Sequence, residues 1–279
     1  MPFDKLENKS IFMMKMEFYK VVASGNDFVV IDNRGKIIKR GKDFAVKVCD
    51  RKFGVGADGL ILVEDSKICD FKMRMFNPDG SEAEMCGNGL RCLIRFLREK
   101  GISRKRKFLI EAKAGIYECE INGENVKVWM KVIGKPNLYI EIPLNRKKLK
   151  GHYIDSGVPH TVIFTKDVGK VNIEKIGPLI RYHEIFKPRG TNVDFVEVLD
   201  KGRIKIRTYE RGVEKETLSC GTGVVAGAVI SFLLKKVNSP VKVITASGDT
   251  LKVGISDDLK KIYLEGKTFI SFWGEYPYK

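Results

Sequence analysis

FKMRMF at Phe71–Phe76 and IKIRTY at Ile204–Tyr209 are two versions of one strand, and each leads into a cysteine motif, Cys86-Gly-Asn-Gly or Cys220-Gly-Thr-Gly. Each motif runs on into an apolar stretch, LRCLIRFL in one case and VVAGAVISFLL in the other. Further along, Ile110–Val128 and Ile244–Tyr263 both read as strand, glycine-containing turn, strand, turn, strand. Upstream, Ser24-Gly25 and Ser156-Gly157 precede the strand-like runs DFVVI and HTVIF, and Gly56–Val63 matches Asn192–Val198. The matches keep their order at a spacing of roughly 132–136 positions. Five ordered coincidences make the chain a duplication. The expected fold is α/β (α+β), with two pseudo-symmetric homologous halves, because alternating and β-branched runs dominate. One clear helix follows each C-G-x-G. In the first, Leu90, Leu93, Ile94 and Leu97 sit at i, i+3, i+4 and i+7, with Gly101 as the stop. The second, Val224–Leu234, is apolar nearly all round and so should be buried on every side, with Lys235 and Lys236 at its negative end. Gly134–Gly151, with Pro136, Pro143 and a basic run, reads as the linker between the halves.

Composition narrows the function. The 279 residues fit one large domain or two ordinary ones, and 43% hydrophobic content supports a real core. No apolar run approaches the ~18 residues of a membrane span. Met1–Lys20 mixes charges with a short apolar patch, unlike a secretory signal, so a reducing, cytoplasmic setting with free thiols is expected. Against 35 acidic residues stand 51 basic ones, a net charge of +16. That raises nucleic acid as a partner, but no nucleic-acid motif accompanies the charge, and a solvated lysine-rich surface is the expectation. The basic clusters, Arg104–Lys107 and Arg146–Lys150, read as loops. Six cysteines form no C-x-x-C pair, and His152, His160 and His183 are scattered, so no metal site is expected.

The paired motifs carry the chemistry. A cysteine at the start of a helix lies in the field of unpaired N–H groups, which favours thiolate over thiol. Glycines on either side let a ligand approach the backbone, and the same N–H groups suit a carboxylate. With the halves face to face, two sulfurs flank one carbon whose carboxylate is held between two helix N-termini. One thiolate takes a proton from one face and the opposite thiol donates one to the other, inverting the stereocentre. The scheme uses no cofactor and needs a dry site to stabilise the developing charge. Cys49, Cys69, Cys92 and Cys119 lack this setting and read as packing residues. Gly54-Val-Gly-Ala-Asp-Gly59 fits G-x-G-x-x-G literally, but the strand-like LILVED follows where a dinucleotide site needs a helix. It reads as a turn bringing backbone amides near a ligand.

Longer segments resemble the diaminopimelate epimerases, a group of cofactor-independent amino-acid racemases. They are SGNDFVVID (Ser24–Asp32), CDRKFGVGADGLILVE (Cys49–Glu64), FNPDGSEAEMCGNGLRCLIRF (Phe76–Phe96), GVPHTVIF (Gly157–Phe164), GTNVDFVEV (Gly190–Val198) and RTYERGVEKETLSCGTGVVA (Arg207–Ala226). The resemblance implies strands wrapped around a central helix in each half and an active site in the cleft between halves. It implies a first half of residues 17–130 plus 266–279, a second of 131–265, and a partly disordered extension at 1–16. Cys86 and Cys220 match the catalytic acid/base pair, with His160 and Glu210 as the polar pair that orients substrate and helps keep one sulfur deprotonated. Gly87, Asn88, Gly221 and Thr222 match the groups that hold the reacting carboxylate, and Asn26 lies near the reacting amine. Asn77, Asn192 and Arg211 match recognition of the distal amino acid, where Arg211 suits a bidentate carboxylate contact. The resemblance further implies LL- and meso-diaminopimelate as substrate, lysine biosynthesis, a homodimer, and closure of the halves on substrate.

Val158 departs from that pattern, since many members read G-N-P-H where this chain reads Gly157-Val158-Pro159-His160. One distal contact is therefore lost or supplied elsewhere, which keeps the same chemistry on another amino acid as an alternative. Proline-racemase-like relatives carry His where Asn88 stands, and phenazine-type isomerases lack the cysteine pair. A basic nucleic-acid-binding protein and a thiol redox sensor are the alternatives of other classes.

Overall fold

A computed structural model describes residues 14–144 and 147–278. The first run of elements is β1 (Met14–Ala23), β2 (Asn26–Asp32), α1 (Gly41–Val48), β3 (Gly59–Glu64), β4 (Phe71–Phe76), β5 (Glu82–Ala83), α2 (Gly87–Glu99), β6 (Lys107–Ala112), β7 (Gly115–Asn122), β8 (Asn125–Met130) and β9 (Ile133–Leu144). The second is β10 (Lys147–Asp155), β11 (Pro159–Phe164), α3 (Ile173–Arg181), β12 (Asn192–Asp200), β13 (Arg203–Glu210), β14 (Lys215–Thr217), α4 (Gly221–Leu233), β15 (Val241–Ile244), β16 (Thr250–Ile255), β17 (Ile262–Lys267) and β18 (Phe269–Tyr278). Apart from short 3-10 turns, the two runs match element for element, so the duplication extends to α1 and α3, which the sequence reading had not separated from their surroundings.

The ladders repeat as well. β2 pairs parallel with β3 and β4 with β6 in the first run; β11 pairs parallel with β12 and β13 with β15 in the second. Each parallel pair needs a crossover, and the four helices supply the four crossovers. The remaining neighbours are antiparallel hairpins. β8 and β17 join the two sets, with Val128 opposite Leu264 and Val126 opposite Gly266. The last strand of each run pairs with the first strand of the other. β9 lies on β10, and β18 on β1.

Four expectations need correction. Gly134–Gly151 is no linker: β9 and β10 form a hairpin in which Leu144 opposes Lys147 and Ile142 opposes Leu149. The alternation in LYIEIPL is a strand signal, and β9 is paired only on its β10 side among the described residues, so Pro136 and Pro143 are tolerated there. Lys147–Lys150 lie in β10 rather than a loop. The N-terminal extension is shorter than 1–16, because Met14–Met16 already pair with Tyr276–Tyr278, while residues 1–13 fall outside the described residues. The G-x-G-x-x-G turn does not offer its amides to a ligand. The N–H groups of Val55, Gly56 and Ala57 bond the carbonyls of Val48 and Cys49 and finish α1.

Helices α2 and α4 occupy the interior. On α2, Leu90, Leu93, Ile94, Phe96 and Leu97 have no exposed surface; on α4, everything from Thr222 to Ser231 is buried. One apolar cluster runs through both helices and the inner faces of both strand sets. Truncating one of these leucines to alanine costs about 2–5 kcal/mol, so the helices that carry the cysteine motifs are the most firmly held parts of the chain. No described helix is long and apolar enough to cross a membrane.

Candidate active site

Cys86 and Cys220 are the N-cap residues of α2 and α4, both in extended conformation. Cys86 Sγ accepts the Gly89 N–H at 3.3 Å, so one of the unpaired helix donors already points at the sulfur. The two helix starts touch. A Cβ built on Gly221 would lie 3.8 Å from Gly87 Cα and 3.6 Å from Asn88 Oδ1. These are van der Waals distances, so the backbones of the two first turns lie side by side. Two helix N-termini, each opened by a cysteine, therefore lie next to each other.

Behind Cys220 lies a relay. Its Sγ is 3.3 Å from Thr222 Oγ1, which is 2.9 Å from His160 Nε2. On the other side of the ring, His160 Nδ1 lies 2.7 Å from Asp194 Oδ2, and Thr208 Oγ1 donates to Asp194 Oδ1 at 2.7 Å. A carboxylate only accepts, so Nδ1 carries the proton and Nε2 is left to accept from Thr222. The Thr222 oxygen is then free to accept from the Cys220 thiol. The Gly223 N–H in the first turn of α4 bonds the sulfur from the other side and favours its ionised form. His160 and Asp194 are fully buried.

The surroundings of Cys86 are different. Asn88 Nδ2 donates to Asn26 Oδ1 at 2.7 Å, and Asn26 Nδ2 donates to Asp58 Oδ2 at 3.0 Å. Asn88 Oδ1 accepts from the Arg91 guanidinium at 2.6 Å. Beside His160, Asn192 Nδ2 donates to the Pro159 carbonyl at 2.9 Å and Asn192 Oδ1 accepts the Arg211 backbone N–H at 2.8 Å, while Arg211 Nη1 donates to the Arg189 carbonyl at 3.2 Å. Glu210 Oε2 accepts from Thr217 at 2.8 Å. Asn77 bonds within its own turn, to Ser81 Oγ at 2.9 Å, and none of its bonds reaches another candidate residue. Val158 lies in the turn from β10 to β11, where its carbonyl accepts the Ser156 N–H.

Burial dominates the electrostatics. It pushes the Cys86 thiol up to about 11 although the Gly89 N–H works the other way, and it pushes Cys220 well above its ordinary value, with Glu210 and Asp194 adding to the effect. Burial also raises Glu210. Ionising either sulfur therefore depends on the helix N-termini and on a place for the proton to go.

The resemblance paired His160 with Glu210; in the structure the direct partners of His160 are Asp194, Thr222 and, at 3.5 Å, the Asn192 amide. Asp194, Thr208 and Arg91 escaped sequence reading. The available signal for Asp194 was an acidic residue inside the apolar run of NVDFVEV, where only a buried partner makes it tolerable. Among the described residues, no group of three or more His, Cys, Asp or Glu side chains is placed to hold a metal ion. Two cavities, of about 340 Å³ beside Tyr153 and Arg189 and about 570 Å³ beside Phe44 and Tyr278, lie away from the thiols. The pair of helix N-termini, not cavity size, marks the candidate site.

Comparison with known proteins identifies the family of the chain. The sequence profile of a family described as diaminopimelate epimerase matches residues 18–139 and 152–270. A diaminopimelate epimerase from Aquifex aeolicus (strain VF5) is 47% identical over 272 residues, covering 93% of this chain and 97% of the relative. One from Hydrogenobaculum sp. (strain Y04AAS1) is 43% identical, covering 93% and 98%. Among solved structures, a phenazine biosynthesis protein of the PhzF family from Bacillus anthracis aligns with a TM-score of 0.74 over 95% of this chain and all of that one. At 19% identity that likeness concerns the fold alone.

Proposed function

Given that the chain belongs to the diaminopimelate epimerase family, we propose that it interconverts LL- and meso-diaminopimelate by two-thiol proton transfer, as a step of lysine biosynthesis. The observation that carries this reading is the meeting of two cysteine-capped helix N-termini at Gly87 and Gly221. The reacting carboxylate binds the first-turn groups of Gly87, Asn88, Gly221 and Thr222, which also stabilise the charge that develops as the α-proton leaves. Cys86 and Cys220 flank the α-carbon, one as thiolate base and the other as thiol acid. Cys220 becomes a thiolate by passing its proton through the Thr222 hydroxyl to His160, whose imidazolium Asp194 then stabilises. Asn26 and Glu210 receive the reacting amine. Asn77, Asn192 and Arg211 recognise the distal amino acid, so shorter amino acids leave buried polar groups unpaired and are rejected. No bound cofactor or metal takes part in this scheme.

Residues 17–130 with 266–279 form one half and 131–265 the other, a division supported by the β18–β1 and β9–β10 ladders. Cys220, Asn88, His160 and Asn192 are each less than a tenth exposed, so substrate enters by a parting of the halves and is sealed when they close. We place the enzyme in the cytoplasm as a homodimer without nucleic-acid partners. Exposed Phe269, Phe272 and Trp273 along β18 support self-association.

The test is incubation of the purified protein with LL-diaminopimelate in D₂O, followed by NMR of the α-proton, with a panel of other amino acids in parallel. Exchange with inversion to the meso isomer is expected. Val158 favours one second reading, the same chemistry on another amino acid. Exchange of a different panel member would establish that reading, and absence of any exchange in reduced protein would overturn both.

A further inference from the structure

Arg91 sits on α2 one turn after the cysteine motif and has no exposed surface. Its Nη2 donates to Asn88 Oδ1 at 2.6 Å and to Ser24 Oγ at 3.0 Å, and its Nη1 donates to the Lys267 carbonyl at 3.3 Å. All three acceptors are uncharged, and Nε has no partner among the described residues. A buried guanidinium without a carboxylate is one of the most costly groups a fold can retain, and an apolar side chain of similar volume would pack more cheaply. Yet the fold is shaped around it. Strand β17 carries glycine at 266, where a Cβ would stand 2.2 Å from Leu251 Cδ2 and 2.5 Å from Arg91 Nη1. The matching position on α4 is Val225, equally buried and without charge. The duplication is therefore electrostatically lopsided. A cation backs the helix of Cys86, whereas the helix of Cys220 faces the Asp194 carboxylate.

We propose that Arg91 is a positioning residue of the reaction: its uncompensated buried charge makes Cys86 the thiol of the pair that ionises first, and its bond to Asn88 Oδ1 holds the Asn88 amide on Asn26 and the Ser219 carbonyl, next to both cysteine motifs. The inference rests on the two-thiol reading. Each charged group facing these atoms has a defined effect. Arg91 favours the thiolate at Cys86, and Glu210 on β13 opposes it. Asp249, between β15 and β16, acts on Arg91 together with the neighbouring thiol of Cys92. At Cys220 both Glu210 and Asp194 oppose ionisation, and the Thr222 and Gly223 hydrogen bonds provide the offsetting effect. The Asn88 contact adds orientation. With Oδ1 held by Arg91, Nδ2 points at Asn26 Oδ1 and at the Ser219 carbonyl, 3.5 Å away. In this arrangement both amide hydrogens are engaged, so Arg91 fixes the Asn88 side chain between β2 and the start of α4.

The experiment is iodoacetamide alkylation of the whole protein across a pH series, with Cys86 and Cys220 quantified separately by peptide mass spectrometry. The pH midpoint is compared rather than the rate, because the rate also reports access. In the unmodified protein the Cys86 midpoint is expected below that of Cys220. Arg91→Met is expected to raise the Cys86 midpoint by about one pH unit and leave Cys220 where it is, while Arg91→Lys restores most of the shift. A merely structural role would lower the melting temperature without separating the two midpoints. The proposal is overturned if Cys220 ionises first in the unmodified protein, or if Arg91→Met moves neither midpoint or both alike. Should Arg91→Met fail to fold, the order in the unmodified protein and the midpoints of Arg91→Lys decide. Alkylation needs no substrate, so correct midpoints beside failed exchange in D₂O would overturn the activity and leave the asymmetry of the thiols standing.

Discussion

Thr222 is the narrowest point of the site, since its hydroxyl is the single atom between the Cys220 sulfur and the His160 ring. Thr222→Val keeps the shape and removes that atom. Exchange in D₂O from the isomer whose proton Cys220 removes should fall about 10²-fold, the usual size of a lost proton-transfer step, with a smaller loss from the opposite isomer. NMR of both isomers reads the two rates, and equal losses would sink the relay. Asp27 governs a different property. Burial raises its carboxyl, but hydrogen bonds from Arg51 and Lys20 outweigh burial and hold it at about 2, below the ordinary 3.8. The folded value is the lower one, so the pairing contributes fully above about 3.8 and is lost as pH falls toward about 2. Asp27→Asn should lower the melting temperature at neutral pH and flatten its decline across that acid window, as measured by thermal melts over a pH series. The cysteine pair was legible in the sequence because a reactive residue and its glycines recur as a contiguous string. Asp194 was not, because it belongs to the site only through the parallel register that sets β12 beside β11 and so brings it to His160. Register is not written in a strand's own residues.

At the scale of elements, the central helices were legible and the outer ones were not. Helix α2 shows its i, i+3, i+4, i+7 stripe, and α4 is apolar on all sides. Helices α1 and α3 are 8 and 9 residues long, and α3 contains Pro178, so neither offers enough turns for a periodicity to stand out. What locks α4 in place is its glycines. A Cβ on Gly223 would lie 2.5 Å from Asp194 Oδ1 and 3.1 Å from Thr208 Oγ1, whereas one on Gly227 would first meet Ile206 Cδ1 at 3.0 Å, the movable end of a side chain. Gly223→Ala should therefore cost about 1–3 kcal/mol and nearly abolish exchange, by pushing Asp194 off His160. Gly227→Ala should cost less stability and leave exchange near normal. Urea titrations with D₂O exchange on both variants check the contrast, and similar behaviour of the two would mean that packing alone, not the Asp194–His160 contact, is at stake.

The whole molecule is held together by exchange between its two runs of elements. Each run's final strand pairs with the opening strand of the other, β9 on β10 and β18 on β1, while β8 and β17 join at the centre. The repeats showed two copies, and the family resemblance returned 266–279 to the first half, but the matching exchange of β9 onto β10 was not read, because a strand's choice of partner depends on the other half of the chain. On one side the exchange is a hairpin, with Leu144 opposite Lys147. On the other it is the same ladder with no connecting turn, and Met14 lies opposite Tyr278. The chain is thus a ring with two equivalent seams, only one of which is open. Linking Tyr278 to Met14 with a short turn and cutting between Leu144 and Lys147 should give a circular permutant that folds and catalyses exchange near the parental rate, as circular dichroism and the D₂O assay would report. A permutant that failed to fold would show that the order of synthesis, and not the closed pattern of pairing, selects the structure. In such a closed circuit of strands, every strand from β1 to β18 that opens or ends a run has a neighbour supplied by the other run, so neither run can come loose without unpairing both ladders.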